Sequence, residues 1–198
     1  MLLSRRRIFL VRHGETDWNL AGRLQGGQDI PLNDLGREQA ARAARVVERL
    51  SGNPSGLAYV ASPLGRTTQT MGILRAQLGL PPDDFRRDDR LKEITFGRWE
   101  GFSWPELRRR DPVGMLTRDA DPWHFVPPGG ENYVMLTSRV MEAVGDIVED
   151  SVVVTHGGVV RAMLHAFAGM PQAEAADLPV RQGAVYLIED GAFELAVA

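Results

Sequence analysis

Residues 151–167 read SVVVTHGGVVRAMLHAF, and the reading of this stretch decides the fold. Val152, Val153 and Val154 form an unbroken apolar run, the pattern of a strand covered on both faces rather than the alternation of a half-exposed one. Gly157 and Gly158 interrupt it, after which Val160, Met163, Leu164 and Phe167 recur at helical spacing. A buried strand that turns sharply into a helix is the repeating unit of a layered α/β domain.

The unit recurs along the chain. IFLV at 8–11 predicts a strand, and NDLGREQAARAARVVERL at 33–50 predicts a helix with Asn33 as its cap. LAYVAS ends a second strand at Ser62, and SPLGRTTQTMGILRAQL from that residue predicts a helix capped by Ser62, with Pro63 at the first helical position. GGENYVMLTSRVMEAVGDIVED at 129–150 supplies another helix, and AVYLIEDGAFELAV at 184–197 reads as strand, Asp190-Gly191 turn, strand. The expected fold is a three-layer α/β/α sandwich with a mostly parallel mixed sheet, closed by an antiparallel edge.

With 198 residues the chain has the length of a single domain spanning 1–198. Residues 94–130 break the alternation, with Phe96, Trp99, Phe102, Trp104, Trp123 and Phe125 set among five prolines. This segment predicts an insertion over the active site, its short helix begun by a Ser103–Glu106 capping box. Its aromatics suit a small satellite core and a pocket for an apolar or nucleoside-like alcohol equally well.

Hydrophobic residues make up 43% and charged residues 25%, the balance of a folded soluble chain, and the net charge of −3 offers no general attraction to nucleic acid or an anionic membrane. No cysteine is present, which excludes thiolate catalysis, disulfides and thiolate zinc sites. Arg5, Arg6 and Arg7 read as a solvated lead-in to the first strand, because the apolar run after them stops at Arg12, too soon for an export signal. No stretch approaches the roughly 20 apolar residues of a membrane span, so a cytoplasmic location is expected, as a monomer or a homodimer.

In an open parallel sheet, ligands bind beyond the carboxyl ends of the strands. Three strands here deliver Arg12 and His13, then Arg66 in SPLGRT, then His156 in THGG. Two guanidinium forks, two imidazoles and nearby helix N-termini describe a site for a compact dianion, and phosphate fits best. The adjacent arginines and the absence of HExxH-like spacing argue against a metal. For a phosphomonoester, His13 is the better nucleophile, its second ring nitrogen held by a backbone carbonyl and Gly14 permitting close backbone approach. His156 would remain a donor to the equatorial oxygens beside Arg12 and Arg66. The proton donor for the leaving alcohol must lie outside this cationic nest. Glu93 and Glu15 are both candidates, although Glu15 suits better the role of orienting an arginine or capping the following segment.

RHGETDWN at 12–19, GRLQG at 22–26, PLNDLGREQA at 31–40, SPLGRTTQT at 62–70, LKEITFGRWEG at 91–101, PPGGEN at 127–132 and THGG at 155–158 together resemble the histidine phosphatase superfamily, which includes cofactor-dependent phosphoglycerate mutases, fructose-2,6-bisphosphatase and many small phosphatases. The resemblance covers nearly the whole chain. It implies that His13 is phosphorylated, that Glu93 is the proton donor, and that Arg12, Arg66 and His156 form the phosphate pocket. Asn19 and Gln25 match positions that contact the phosphate or its water, and Thr16 and Gly157 complete the expected substrate-binding set. Hydrolysis in this family needs no metal and no organic cofactor.

The family's mutases carry a longer insertion, a tyrosine three residues after the acid and an asparagine after the His-Gly pair. Here Phe96 and Gly158 stand at those positions, the segment is short, and no tail follows the edge strand to act as a lid. Hydrolysis of a small phosphorylated metabolite is therefore expected, with mutase-type transfer as the alternative and a non-catalytic phosphate-binding module as an alternative of another class. The presence of both His13 and Glu93 argues against the module. The hydroxyl missing at Phe96 also counts against phosphoglycerate itself as substrate. Sugar phosphates, nucleotides and α-ribazole phosphate stay open, and Arg108, Arg109 and Arg110 read as helix-end charges facing water rather than as a second phosphate site.

Overall fold

The computed structural model describes residues 6–189 and 192–196. In chain order the elements are β1 (Ile8–Arg12), α1 (Asp17–Leu20), α2 (Asp34–Ser51), β2 (Ala58–Ala61), α3 (Gly65–Gln77), β3 (Arg86–Arg87), α4 (Trp104–Arg110), α5 (Pro112–Ala120), α6 (Tyr133–Gly145), β4 (Ser151–Thr155), α7 (Gly157–Ala168), α8 (Gln172–Asp177), β5 (Val185–Glu189) and β6 (Ala192–Ala196). The strands form one sheet in the order β3-β2-β4-β1-β5-β6. β3, β2, β4 and β1 run parallel, whereas β5 and β6 close the edge antiparallel. The expected mixed sheet is therefore present; the Asp190-Gly191 turn and Arg5 lie outside the described residues.

Alternation along the central strands explains the three layers. Ile8 and Leu10 of β1, Val60 of β2 and Val153 of β4 point into one core, packed under α6, α7 and α8 by residues such as Leu136, Val140, Val160 and Met163. Phe9, Val11, Tyr59, Ala61, Val152 and Val154 point into the other, covered by Ala43, Ala44 and Val47 of α2 and by Met71 and Leu74 of α3. Both faces are dry, so each of these strands had to be apolar at consecutive positions.

α2 begins where Asn33 accepts the Gly36 amide at 2.9 Å and ends at Gly52 in the left-handed region. Gly36 also lets this helix cross the loop after β1: a Cβ there would overlap the Glu15 backbone, and one on Gly14 would overlap the Gly36 carbonyl. The close approach expected of Gly14 is thus made to α2. Alanine at position 36 would gain about 1 kcal/mol of helix propensity, but the overlap is with backbone that cannot swing aside. We expect Gly36→Ala to lose about 1–3 kcal/mol net, read as a melting temperature lowered by about 3 °C or more; an unchanged value would refute the crossing.

Two local expectations are corrected. Ser62 does not cap α3, whose N-cap is Leu64 with no side-chain bond; the Ser62 hydroxyl is instead engaged by His156 at 2.8 Å. Arg6 and Arg7 are not a free lead-in: Arg6 donates to the Val144 carbonyl at 2.9 Å, and Arg7 pairs with Asp150 at 2.8 Å.

The segment 94–130 carries α4 and α5, and the Ser103–Glu106 capping box forms as expected. Trp99, Leu107 and Met115 make a separate small core, with Phe96, Phe102, Trp104 and Phe125 packed around it. Trp123 joins the main core instead, stacked on Tyr133. No helix among the described residues is long and apolar enough to cross a membrane.

Candidate active site

The carboxyl ends of β1, β2 and β4 open into a cleft of about 440 Å³, lined in part by the aromatic segment. Arg12, His13, Asn19, Gln25, Arg66, Glu93 and Gly157 all line it. Phe96, Trp99, Trp104 and Phe125 line it too, so the aromatic segment serves as small core and cleft wall at once. Thr16 and His156 do not line the cleft, and both are fully buried.

His13 follows β1 directly. Its Nδ1 lies 2.7 Å from the Gly14 carbonyl, which can only accept, so Nδ1 carries the proton and Nε2 keeps its lone pair in the neutral ring. Burial, then the charges of Arg66 and Arg12, hold its pKa well below the usual imidazole range. The ring is therefore neutral at physiological pH.

His156 stands behind it, the ring centroids 5.2 Å apart. Its Nδ1 accepts from Nε of Arg66 at 3.2 Å, which assigns the proton to Nε2, donated to Ser62 Oγ at 2.8 Å. Burial first, and Arg66 next, lower its pKa as well. Both ring nitrogens are thus engaged within the protein, one orienting Arg66 and the other held by Ser62.

Arg66 is wholly buried at the start of α3. Besides the bond to His156, its terminal nitrogens donate to the Gln28 carbonyl at 2.6 Å and the Gly26 carbonyl at 2.9 Å. Three of its five N–H groups are spent, leaving one on each terminal nitrogen, the pair a bidentate oxyanion would take. Arg12 is anchored by the Val180 carbonyl, and its buried Nε finds no partner. Burial lowers the Arg12 pKa to about 10, which leaves it cationic at neutral pH. Gly157 gives this guanidinium room, since a Cβ there would lie 3.3 Å from Arg12 Cζ.

Glu93 receives the start of α7. Its Oε1 accepts the Gly158 amide and that of Ile94, each at 3.0 Å. A side chain on Gly158 would overlap this carboxylate, so glycine there is what lets Glu93 sit at the helix N-terminus. The acid lies within the field of Arg12 and Arg66, beside the cationic nest and not outside it. Its backbone is pinned by Arg139 of α6, which donates to the carbonyls of Arg90, Lys92 and Glu93 at 2.6, 2.8 and 3.1 Å while pairing bidentately with Glu131 at 2.8 Å.

Glu15 is turned away: its carboxylate accepts from Asn33 at 2.9 Å, so it supports the cap of α2 and orients no arginine. Thr16 caps α1 in a reciprocal box with Asn19. That box occupies Oδ1 of Asn19 and leaves its NH2 for the cleft. Gln25 is buried, with Oε1 unpartnered. The donor on α3 is also used, because the Gly65 amide binds Asp29 at 2.7 Å. Sequence reading gave Ser62 only the role of a helix cap, and gave none to Asp29, Glu131 or Arg139. The SPLGRTTQT motif, which contains Ser62, and the PPGGEN motif, which contains Glu131, pointed near them.

The family model described as histidine phosphatase superfamily (branch 1) matches residues 8–195. Glucosyl-3-phosphoglycerate phosphatase of Mycolicibacterium vanbaalenii is 34% identical over 179 residues, 84% of this chain and 76% of the relative. Metal-independent phosphoserine phosphatase of Arabidopsis thaliana is 36% identical over 162 residues, 79% of this chain and 66% of the relative. Among solved structures, Bacillus stearothermophilus YhfR superposes with a TM-score of 0.82 at 33% identity, covering 97% of this chain and 96% of that one.

Proposed function

The chain belongs to the histidine phosphatase superfamily and is a phosphoric monoester hydrolase, and from that premise we propose that it works through a phosphohistidine on His13. The observation that carries the proposal is the His13 tautomer: Nδ1–H is spent on the Gly14 carbonyl, and a neutral Nε2 is left among Arg12, Arg66 and Glu93.

The phosphoryl group enters between the free N–H pair of Arg66 and the unpartnered Nε–H of Arg12, replacing buried donors' missing bonds with charge-assisted ones. Nε2 attacks phosphorus in line as the P–O bond to the alcohol breaks, and Glu93 in its acid form gives that oxygen its proton. The second step reverses the roles. Carboxylate Glu93 takes a proton from water, the water oxygen bonds to phosphorus, the N–P bond breaks and inorganic phosphate leaves. Arg12 and Arg66 stabilise the equatorial oxygens in both steps, and Asn19, Gln25 and the Gly157 amide region complete the cradle. His156 and Thr16 act one layer back, through Arg66 and Asn19.

Gly158 and Phe96 support hydrolysis over return of the phosphoryl group to a second acceptor, because neither adds a polar grip that would hold an acceptor in place of water. The substrate is a small phosphorylated metabolite. The net charge of −3 supports a reading with no nucleic-acid or membrane partner.

The test is release of inorganic phosphate from p-nitrophenyl phosphate in EDTA across pH, with a mutase assay alongside. The active neutral form of His13 exists above its depressed pKa and is lost only as pH falls through that value. Hydrolysis should therefore persist in EDTA through the ordinary imidazole range near pH 6.5. An acid-side loss centred there, dependence on metal, or transfer without hydrolysis would each contradict the reading.

A further inference from the structure

Glu93 sits on neither a strand nor a helix. Its segment runs between two single helical turns, Asp89–Leu91 and Gly97–Trp99, so its place in the cleft must be fixed by other means. The carboxylate end is held by the amides of Gly158 and Ile94. The backbone end is held by side chains. The carbonyls of Arg90, Lys92 and Glu93 accept from Arg139, and the Leu91 carbonyl between them accepts from the Thr155 hydroxyl at 2.9 Å. Four consecutive carbonyls leading up to the acid are thus tied to α6 and β4.

Arg139 spends every donor it has on this task. Nη1 serves the Arg90 and Lys92 carbonyls, Nη2 serves the Glu93 carbonyl and one oxygen of Glu131, and Nε serves the other Glu131 oxygen. Each acceptor belongs to the acid's own segment or to Glu131. Glu131 is bound to the same segment by its backbone, whose amide donates to the Thr95 carbonyl at 2.9 Å. A Cβ on the neighbouring Gly130 would lie 2.7 Å from that carbonyl oxygen, so the two loops are pressed together. With 23% and 12% of their side chains exposed, Arg139 and Glu131 are mostly shut from water, which cannot take over all their bonds.

A planar guanidinium fixes the spacing of its acceptors as well as a charge, which an ammonium does not. We propose that Arg139 is a positioning residue for proton transfer: by fixing the backbone of residues 90–93 it sets where the Glu93 carboxyl meets the leaving oxygen, and Glu131 holds Arg139 in that pose. This inference rests on the reading of Glu93 as the acid. Proton transfer needs hydrogen-bond approach, and a misplacement of about 1 Å costs on the order of 100-fold. The cost falls on leaving groups that need the proton and spares those that do not.

The test compares kcat/KM for glycerol 2-phosphate and p-nitrophenyl phosphate on the full-length enzyme. For both esters this quantity reports the first transfer, in which the alcohol leaves. Arg139→Gln should lose about 100-fold on the alkyl ester and less than about threefold on the nitrophenyl ester. Arg139→Lys, which keeps the charge without the fork, should lose about 10-fold on the alkyl ester alone, and it carries the test by itself if the glutamine variant does not fold. Added to Glu93→Gln, Arg139→Gln should cost less than about threefold more on the alkyl ester, because the group it positions is already disabled. Equal loss on the two esters, full recovery in Arg139→Lys, or additive losses in the double variant would overturn the proposal. Glu93→Gln alone separates the two levels. If that variant loses equally on both esters, the reading of Glu93 as the acid fails and the positioning role with it; if it loses selectively while Arg139→Gln does not, the positioning role alone fails.

Discussion

Replacing His13 with alanine is expected to lower kcat on p-nitrophenyl phosphate by about 10,000-fold or more, because the covalent route disappears with its nucleophile. The cleft should otherwise survive. Arg66 is held by Gln28, Gly26 and His156, and Arg12 by Val180, none of which passes through His13. The variant should therefore still bind inorganic phosphate with an affinity near that of the wild type, measured by calorimetry. Retained turnover would remove His13 from the mechanism, and lost phosphate binding would mean that the residue holds the pocket together and that its loss of activity says nothing about nucleophilicity.

Glu93→Gln should cost about 100- to 10,000-fold, the usual range for a general acid-base group. The amide keeps an oxygen to accept from Gly158 and Ile94, so the local geometry is conserved while the transferable proton is gone. The loss should be steepest for an alkyl ester, whose leaving oxygen needs that proton, and mildest in the first step with p-nitrophenyl phosphate, whose leaving group does not. Because water activation also needs the carboxylate, the variant should release a burst of nitrophenol and then stall. A uniform loss on both classes of ester, without a burst, would reassign Glu93 to a purely electrostatic part.

The strands and the cations at their ends were legible because both depend on local pattern. Consecutive valines identify a strand buried on two faces, and Arg12, Arg66 and His156 follow three such strands within a few residues. Caps formed by near neighbours, at Asn33 and at Ser103 with Glu106, were readable for the same reason. What escaped depends on partners far apart in sequence. Ser62 looks like a helix cap until His156, 94 residues away, takes its hydroxyl. His156 looks like a substrate donor until Arg66 occupies its Nδ1. Arg139 and Arg161 resemble ordinary helix arginines, and only the folded chain places one behind Glu93 and the other in the cleft wall.

The most direct test of the account is to mix the Glu93→Gln variant with p-nitrophenyl phosphate, quench in alkali, where phosphohistidine survives, and locate any covalent phosphoryl group by mass spectrometry. The account predicts one phosphoryl adduct per chain, acid-labile, on the peptide containing His13, with the nitrophenol burst matching it in amount. An adduct on another residue, or steady hydrolysis by the wild type with no adduct formed by either protein, would contradict it.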